Sequence, residues 1–185
     1  MRVILPGLML LLLAASSPSS YAQKRFSNLD RVAEAIEHKL QDKMPDWQHK
    51  SVSPASVEEN TVNDQVVIQQ WTWGKKNLRI AVLQHQSQEE AAEALRQFAA
   101  DKKNAASLQG LGDEAYAWGI RNSIAFRQDN LTIYMSSVVV EELKGDEGLP
   151  DPAEAEKKAA QAEHDEEAKV TRGFAQHVAA ALRKL

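Results

Sequence analysis

Apolar residues recur every third or fourth position early in the chain. Leu29, Val32, Ala33, Ile36 and Leu40 make one stripe between Ser27 and Met44, the pattern of a helix that buries one face. Ser27 is placed to cap the first turn with Asp30 three residues on, and Pro45 ends the helix. The period then shortens. Gln48 to Ser53 reads as an edge strand limited by Pro54, which cannot donate to a ladder. Gln65 to Trp73 is rich in β-branched and aromatic residues, and Asn77 to Gln84 sets Leu78, Ile80 and Val82 against Arg79 and Ala81. Both read as strands, with Gly74-Lys75-Lys76 as a hairpin loop between them. A second helix spans Ser87 to Lys102. Ser87 and Glu90 form a capping box, the buried stripe is Ala91, Ala94, Leu95 and Phe98, and Lys102 and Lys103 suit the negative end of the helix dipole.

Short strands return after this helix: Ala115 to Trp118, Ser123 to Arg127 and Leu131 to Val140. The turns between them are Arg121-Asn122 and Gln128-Asp129-Asn130, so the three form an antiparallel meander. A loop from Glu141 leads to Asp151, which caps a last helix with Pro152 at its first position and Glu154 at its third. From Ala153 to Lys169 this helix holds nothing apolar larger than alanine, so that half is expected in solvent. Val170, Phe174, Val178, Leu182 and Leu185 form a stripe that must be buried, interrupted by Gly173 at a cost of roughly 1 kcal/mol. The expected fold is α+β: an antiparallel sheet of about five strands with two or three packed helices and a long C-terminal helix. Residues 23–150 form the domain and residues 151–185 the helix that follows.

The first 22 residues fit neither pattern. Arg2 precedes an apolar run from Val3 to Ala15 built around Leu10 to Leu13, then Ser16 to Ser20, and Ser20-Tyr21-Ala22 has small residues where a signal peptidase reads them. Cleavage between Ala22 and Gln23 is expected, because an apolar run of about 13 residues is short of the roughly 20 that span a bilayer. No transmembrane segment is then expected to remain, and the protein is expected to be periplasmic or secreted. The chain has no cysteine. That excludes both a lipid-modified cysteine and a disulfide framework, so the domain must hold together by its core. The formal charge of −4 becomes about −5 without Arg2. It lacks the basic footprint of a nucleic-acid binder and the polybasic patch that anionic lipid attracts. Asn130-Leu131-Thr132 is a glycosylation sequon, read as chance in a cysteine-free bacterial export.

The most specific string is Gly110-Leu111-Gly112-Asp113-Glu114-Ala115-Tyr116-Ala117-Trp118. It resembles a recurring segment of bacterial exported and lipoprotein domains, among them actinobacterial extracellular sensor-type domains. In those a Gly-Leu-Gly-Asp-Glu-Ala-Tyr stretch leads into a hairpin ending in an Arg-x-Gly-Asn turn. Here the turn reads Arg127-Gln128-Asp129-Asn130, with Asp129 in the glycine's place. The resemblance covers about 30 residues, implies an exported α+β fold and imports no catalytic residue.

Candidate ligand-binding residues are Trp71, Trp73, Tyr116 and Trp118, with Asp113 and Glu114 as carboxylates beside them; Trp47 and Tyr134 add to the aromatic set. Trp71 and Trp73 share one face of their strand, as do Tyr116 and Trp118 of theirs, and the pairs are expected to form one cross-strand cluster. Glu34 with His38 and His164 with Asp165 lack the ligand count of a zinc site, and no metal or cofactor is expected. No nucleophile elbow, phosphate loop or dinucleotide fingerprint occurs, so no catalytic residue is assigned. The leading expectation is a non-catalytic binding module of the bacterial cell envelope that uses its sheet face or aromatic cluster to hold an envelope component or protein. One alternative is an interaction module acting through the C-terminal helix. Another is a small hydrolase pairing Asp113 or Glu114 with His49 or His85.

Overall fold

The computed structural model describes residues 28–52, 65–119, 123–139 and 152–185. Residues 1–22, Ser27, Ser53 and Pro54, the expected Arg121-Asn122 turn, the expected loop from Glu141 and the expected Asp151 cap lie outside them. The elements run α1 (Leu29–Lys43), β1 (Gln48–Val52), β2 (Gln65–Trp73), β3 (Lys76–Gln84), α2 (Gln88–Ala100), β4 (Ala106–Ser107), β5 (Glu114–Trp118), β6 (Ser123–Gln128), β7 (Leu131–Val139) and α3 (Pro152–Leu182).

All seven strands form one antiparallel sheet in the order β1-β2-β3-β7-β6-β5-β4. Two meanders meet where β3 pairs with β7 over nine residues each, and α2 carries the chain from one meander to the other. The count is seven rather than about five. Gln48–Val52 pairs along its full length with β2, and Ala106–Ser107 adds a two-residue strand at the far edge that has no pattern to announce it. The β2–β3 turn is tight, with Trp73 opposite Lys76 and Gly74 at φ +57°, a conformation that costs glycine nothing.

Alternation of side chains assigns each strand residue to a face. One face holds Trp71, Leu78, Ile80, Val82, Ile133, Met135, Ile124 and Phe126, all buried. Helices α1 and α3 cover it. Gln69 donates from Nε2 to the Ala33 carbonyl of α1 (2.9 Å), and Ser137 donates from Oγ to the Glu167 carbonyl of α3 (3.0 Å). Leu29, Val32, Ile36 and Leu40 of α1 and Phe174, Val178 and Leu182 of α3 complete the core. Among the described elements the opposite face carries α2 alone, over β6 and β7: Thr132 lies 3.5 Å from the Ala91 carbonyl and Phe98 stacks edge-on to Tyr134 at 4.5 Å.

The N-cap of α1 is Asn28 rather than Ser27; its Oδ1 accepts from the Arg31 amide at 3.0 Å. Ser87 caps α2 through the Glu90 amide, while Glu90 returns a bond to the Gln86 amide. In α3, Lys157, Lys158, Ala160, Gln161 and Ala162 are exposed, whereas Phe174, Ala175, Val178 and Leu182 are fully or almost fully buried. This long helix therefore stands in solvent over its first half and belongs to the core over its second.

Candidate binding surface

The segment Gly110–Trp118 enters β5 through a sharply constrained corner. Gly112 has φ +60°, and a Cβ there would lie 2.2 Å from the Arg127 carbonyl oxygen and 2.9 Å from the Phe126 ring. Only glycine lets the chain come this close to β6. Asp113 then bonds to the β6–β7 turn at three points. Its amide donates to the Arg127 carbonyl (2.8 Å), and its Oδ2 accepts from Arg127 Nη1 (2.9 Å) and from the Asp129 amide (2.8 Å). Asp129 stands at φ +53°, in the left-handed region where glycine is the usual occupant and aspartate is tolerated. That accounts for Asp129 in the position where the resembling segments have glycine.

Glu114 faces α2. Arg96 holds it with two bonds, 2.9 Å from Nε and 3.0 Å from Nη2, and the Tyr116 hydroxyl donates to it at 2.9 Å. The Arg96 hydrogen bond holds the Glu114 carboxyl below its ordinary range, against the upward pull of burial, with Tyr116 assisting. Donating this hydrogen bond to Glu114 pushes the Tyr116 phenol up. Both carboxylates of the segment are thus engaged within the protein, joining β5 to the β6–β7 turn and to α2.

The aromatic residues do not form one cluster. Trp71 pairs with Leu78, and Leu78 with Ser137, on the face under α1 and α3. Tyr116 pairs with Ala125, and Ala125 with Tyr134, on the α2 face. Trp71 is fully buried between Phe174 (6.1 Å) and the His49 ring (4.8 Å), and its indole N–H donates to Gln69. Trp47 packs on Phe174 (4.7 Å) and Trp73 (6.1 Å). Trp73 is 47 % exposed, with the Lys76 ammonium 4.8 Å above its ring. On the other face Trp118 is partly exposed and meets Phe98 edge-on at 5.3 Å. Of the two pairs, Trp71 is fully buried, Tyr116 and Trp118 are half-buried and Trp73 is exposed.

The acid–histidine pairings of a hydrolase are not assembled. His49, on β1, bonds through Nδ1 to Glu37 of α1 (3.0 Å) and is five strand spacings from β5, roughly 24 Å. His85 is buried just after β3 with Nε2 on Thr132 Oγ1 (2.9 Å); Thr132 is two strand spacings from Glu114, roughly 10 Å, and Glu114 is itself bonded to Arg96 and Tyr116. Among the described residues no group of three His, Cys, Asp or Glu is placed to hold a metal ion. The sequon asparagine, Asn130, is fully buried and donates to the His85 carbonyl (2.9 Å).

What the α2 face does offer is a half that no described element covers. Lys50, Gln70, Arg79 and Ser136 stand in one row across four strands, and Gln48, Thr72 and Asn77 form the row beside it. Gln48, Lys50, Asn77 and Arg79 are exposed. No strand position here is acidic, Glu114 lying at the opposite end of β5, and neither Lys50 nor Arg79 has an ion-pair partner among the described residues. Two cations without an ion-pair partner among the described residues, on strands roughly 10 Å apart, thus stand in rows that also hold amides, hydroxyls and Val138. The signal for this surface is present in the sequence as polar residues alternating with Trp71, Leu78 and Ile80, but it reads as an ordinary solvated face until the position of α2 is known.

Searches against protein-family models, curated proteins and solved structures find no match to this chain.

Proposed function

We propose that this protein is an exported, non-catalytic binding module of the bacterial cell envelope, and that its binding surface is the uncovered half of the α2 face. Export is supported by the pattern of residues 1–22 and by the resemblance carried by Gly110–Trp118. The observation that carries the site is the pair Lys50 and Arg79, without an ion-pair partner among the described residues, in two rows of the sheet whose other positions are Gln48, Gln70, Thr72, Asn77, Ser136 and Val138. Cations there attract carboxylate or phosphate. The amides and hydroxyls suit an extended chain rich in hydroxyl groups, and Trp118 supplies an aromatic edge at the far side of the sheet. An acidic glycan has all three properties.

The test is calorimetric titration of residues 23–185 with a polyuronate, a neutral dextran and a single-stranded oligonucleotide at two salt concentrations. Polyuronate should bind with an affinity that falls as salt rises, dextran should not, and Lys50→Ala with Arg79→Ala together should weaken binding at least tenfold while leaving the melting temperature unchanged. Equal binding of the double variant removes this surface from the function. Tighter binding of the oligonucleotide than of polyuronate rejects the glycan.

A further inference from the structure

The face under α1 and α3 is also incompletely covered, at its β4–β5 margin. Helix α3 crosses β6 and β7, and beyond its flank no helix among the described residues lies over Ala117 and Leu108. A cleft opens there in two adjoining lobes, of about 240 Å³ and about 180 Å³, that share Leu108, Ile124 and Arg172. Small side chains make the space: Ala117 on the strand and Ala168 on the helix. The floor is apolar, with Leu108 and Ala117 packed against the core and Ile124 within it. The outer lobe runs beneath Gly110 and Leu111, so the corner fixed by Gly112 and Asp113 forms one of its walls.

Its rim is cationic. Lys169 and Arg172 are three residues apart, and Gln176 is four beyond Arg172, a spacing that puts all three on one side of a helix. Lys169 and Arg172 are exposed, and no salt bridge or hydrogen bond among the described residues occupies the Arg172 guanidinium. The lobes together reach only the lower part of the range of about 300–1,000 Å³ usual for small-molecule sites, which suits a narrow ligand. The larger lobe is an apolar trough and the smaller one is more polar, with a guanidinium between them that has no partner among the described residues; this combination fits a single acyl chain ending in an anion, the chain on Leu108, Ala117 and Ile124 and the anion in the two-pronged grip that arginine offers a carboxylate or phosphate.

We infer that the cleft between α3 and the Leu108–Leu111 segment is a binding site for a single-chain amphiphile with an anionic head. The site is on the other face of the sheet from the surface assigned above and stands independently of it.

The measurement is titration of residues 23–185 with decanoate, decyl phosphate and decanol, each below its micellar concentration. Decanoate or decyl phosphate should bind at least tenfold more tightly than decanol; the tighter of the two assigns the site to a free fatty acid or to a lipid head group. Arg172→Glu should abolish that preference. Ala168→Leu, which fills the trough from a half-buried position on the helix, should abolish binding of all three while the protein still unfolds cooperatively. Lys50→Ala with Arg79→Ala should change nothing, which separates failure here from failure of the glycan surface. Equal affinity for decanol and the anions, or binding that survives both Arg172→Glu and Ala168→Leu, overturns the assignment.

Discussion

The two faces of the sheet meet different demands with the same strands. Under α1 and α3 the inward positions are Trp71, Leu78, Ile80, Val82, Ile133, Met135, Ile124 and Phe126, and the helices return Phe174, Val178, Ile36 and Leu40. Under α2 the contact is thinner: Ala91, Leu95 and Ala99 against Ala125 and Thr132, with Phe98, Trp118 and Tyr134 at one end. One face holds the cysteine-free domain together. Among the described residues the other is covered only where α2 lies. Most of the buried apolar contact therefore lies on one side of the sheet, and the polar rows of Lys50 and Arg79 on the other.

The largest expected effect is on the covered face. Phe174 is fully buried and touches Trp47 and Trp71, so Phe174→Ala should cost about 3–5 kcal/mol. Thr72→Ala on the open half of the other face should stay within about 0.5 kcal/mol. Urea unfolding of both variants measures the contrast, and comparable losses would mean that the faces share the load. The same argument makes α3 part of the domain: its second half cannot be removed without opening the core, so a role for this helix as a detachable contact element is confined to its solvated first half.

A second effect concerns the junction that fixes the β5 corner. Gly112→Ala sets a methyl group against the Arg127 carbonyl and forces alanine into φ +60°. The cost should be about 2–4 kcal/mol, combining left-handed strain with overpacking. Gly110 has open space around its Cβ position, so Gly110→Ala should cost less, limited to its positive φ. If thermal melts place the two variants together, the close approach at Gly112 is not what holds the segment to β6.

Much of this was legible in the sequence, and the gaps have physical causes. The helices and the longer strands followed from periodicity because each buries one side. Ala106–Ser107 was not legible because two residues have no period. The cap of α1 shifted by one residue because Ser27 and Asn28 are both capping residues and the stripe alone does not choose between them. The error over the aromatics is more instructive. Alternation shows that Trp71 and Trp73 share a face and that Tyr116 and Trp118 share a face, but the relation between the two pairs depends on the β3–β7 and β6–β7 registers, which no local pattern encodes. The cleft was missed for a similar reason. Lys169, Arg172 and Gln176 are an ordinary polar stripe on α3 until the sheet margin beneath them supplies Leu108, Ala117 and Ile124.

The smallest effect sharpens the contrast from within the covered side. His177 lies on α3, which packs against α1, and its imidazole is pushed below the ordinary value of 6.5 by burial first and then by the charges of Lys39 and Lys43 on α1. Below pH about 6.5 the unfolded chain takes up a proton at this residue that the native protein resists. The unfolded state then holds more protons, so stability falls as the pH drops from 6.5 toward the native pKa and levels off below it. His177→Gln removes the titration and keeps a polar side chain of similar reach. The urea midpoint of the variant, followed from pH 8 to pH 5, should fall less steeply than that of the parent, with the two curves diverging only below about pH 6.5. Parallel curves would show that the α1–α3 seam accepts the charged imidazole as readily as water does, and that the covered face is less dry at its rim than at Phe174.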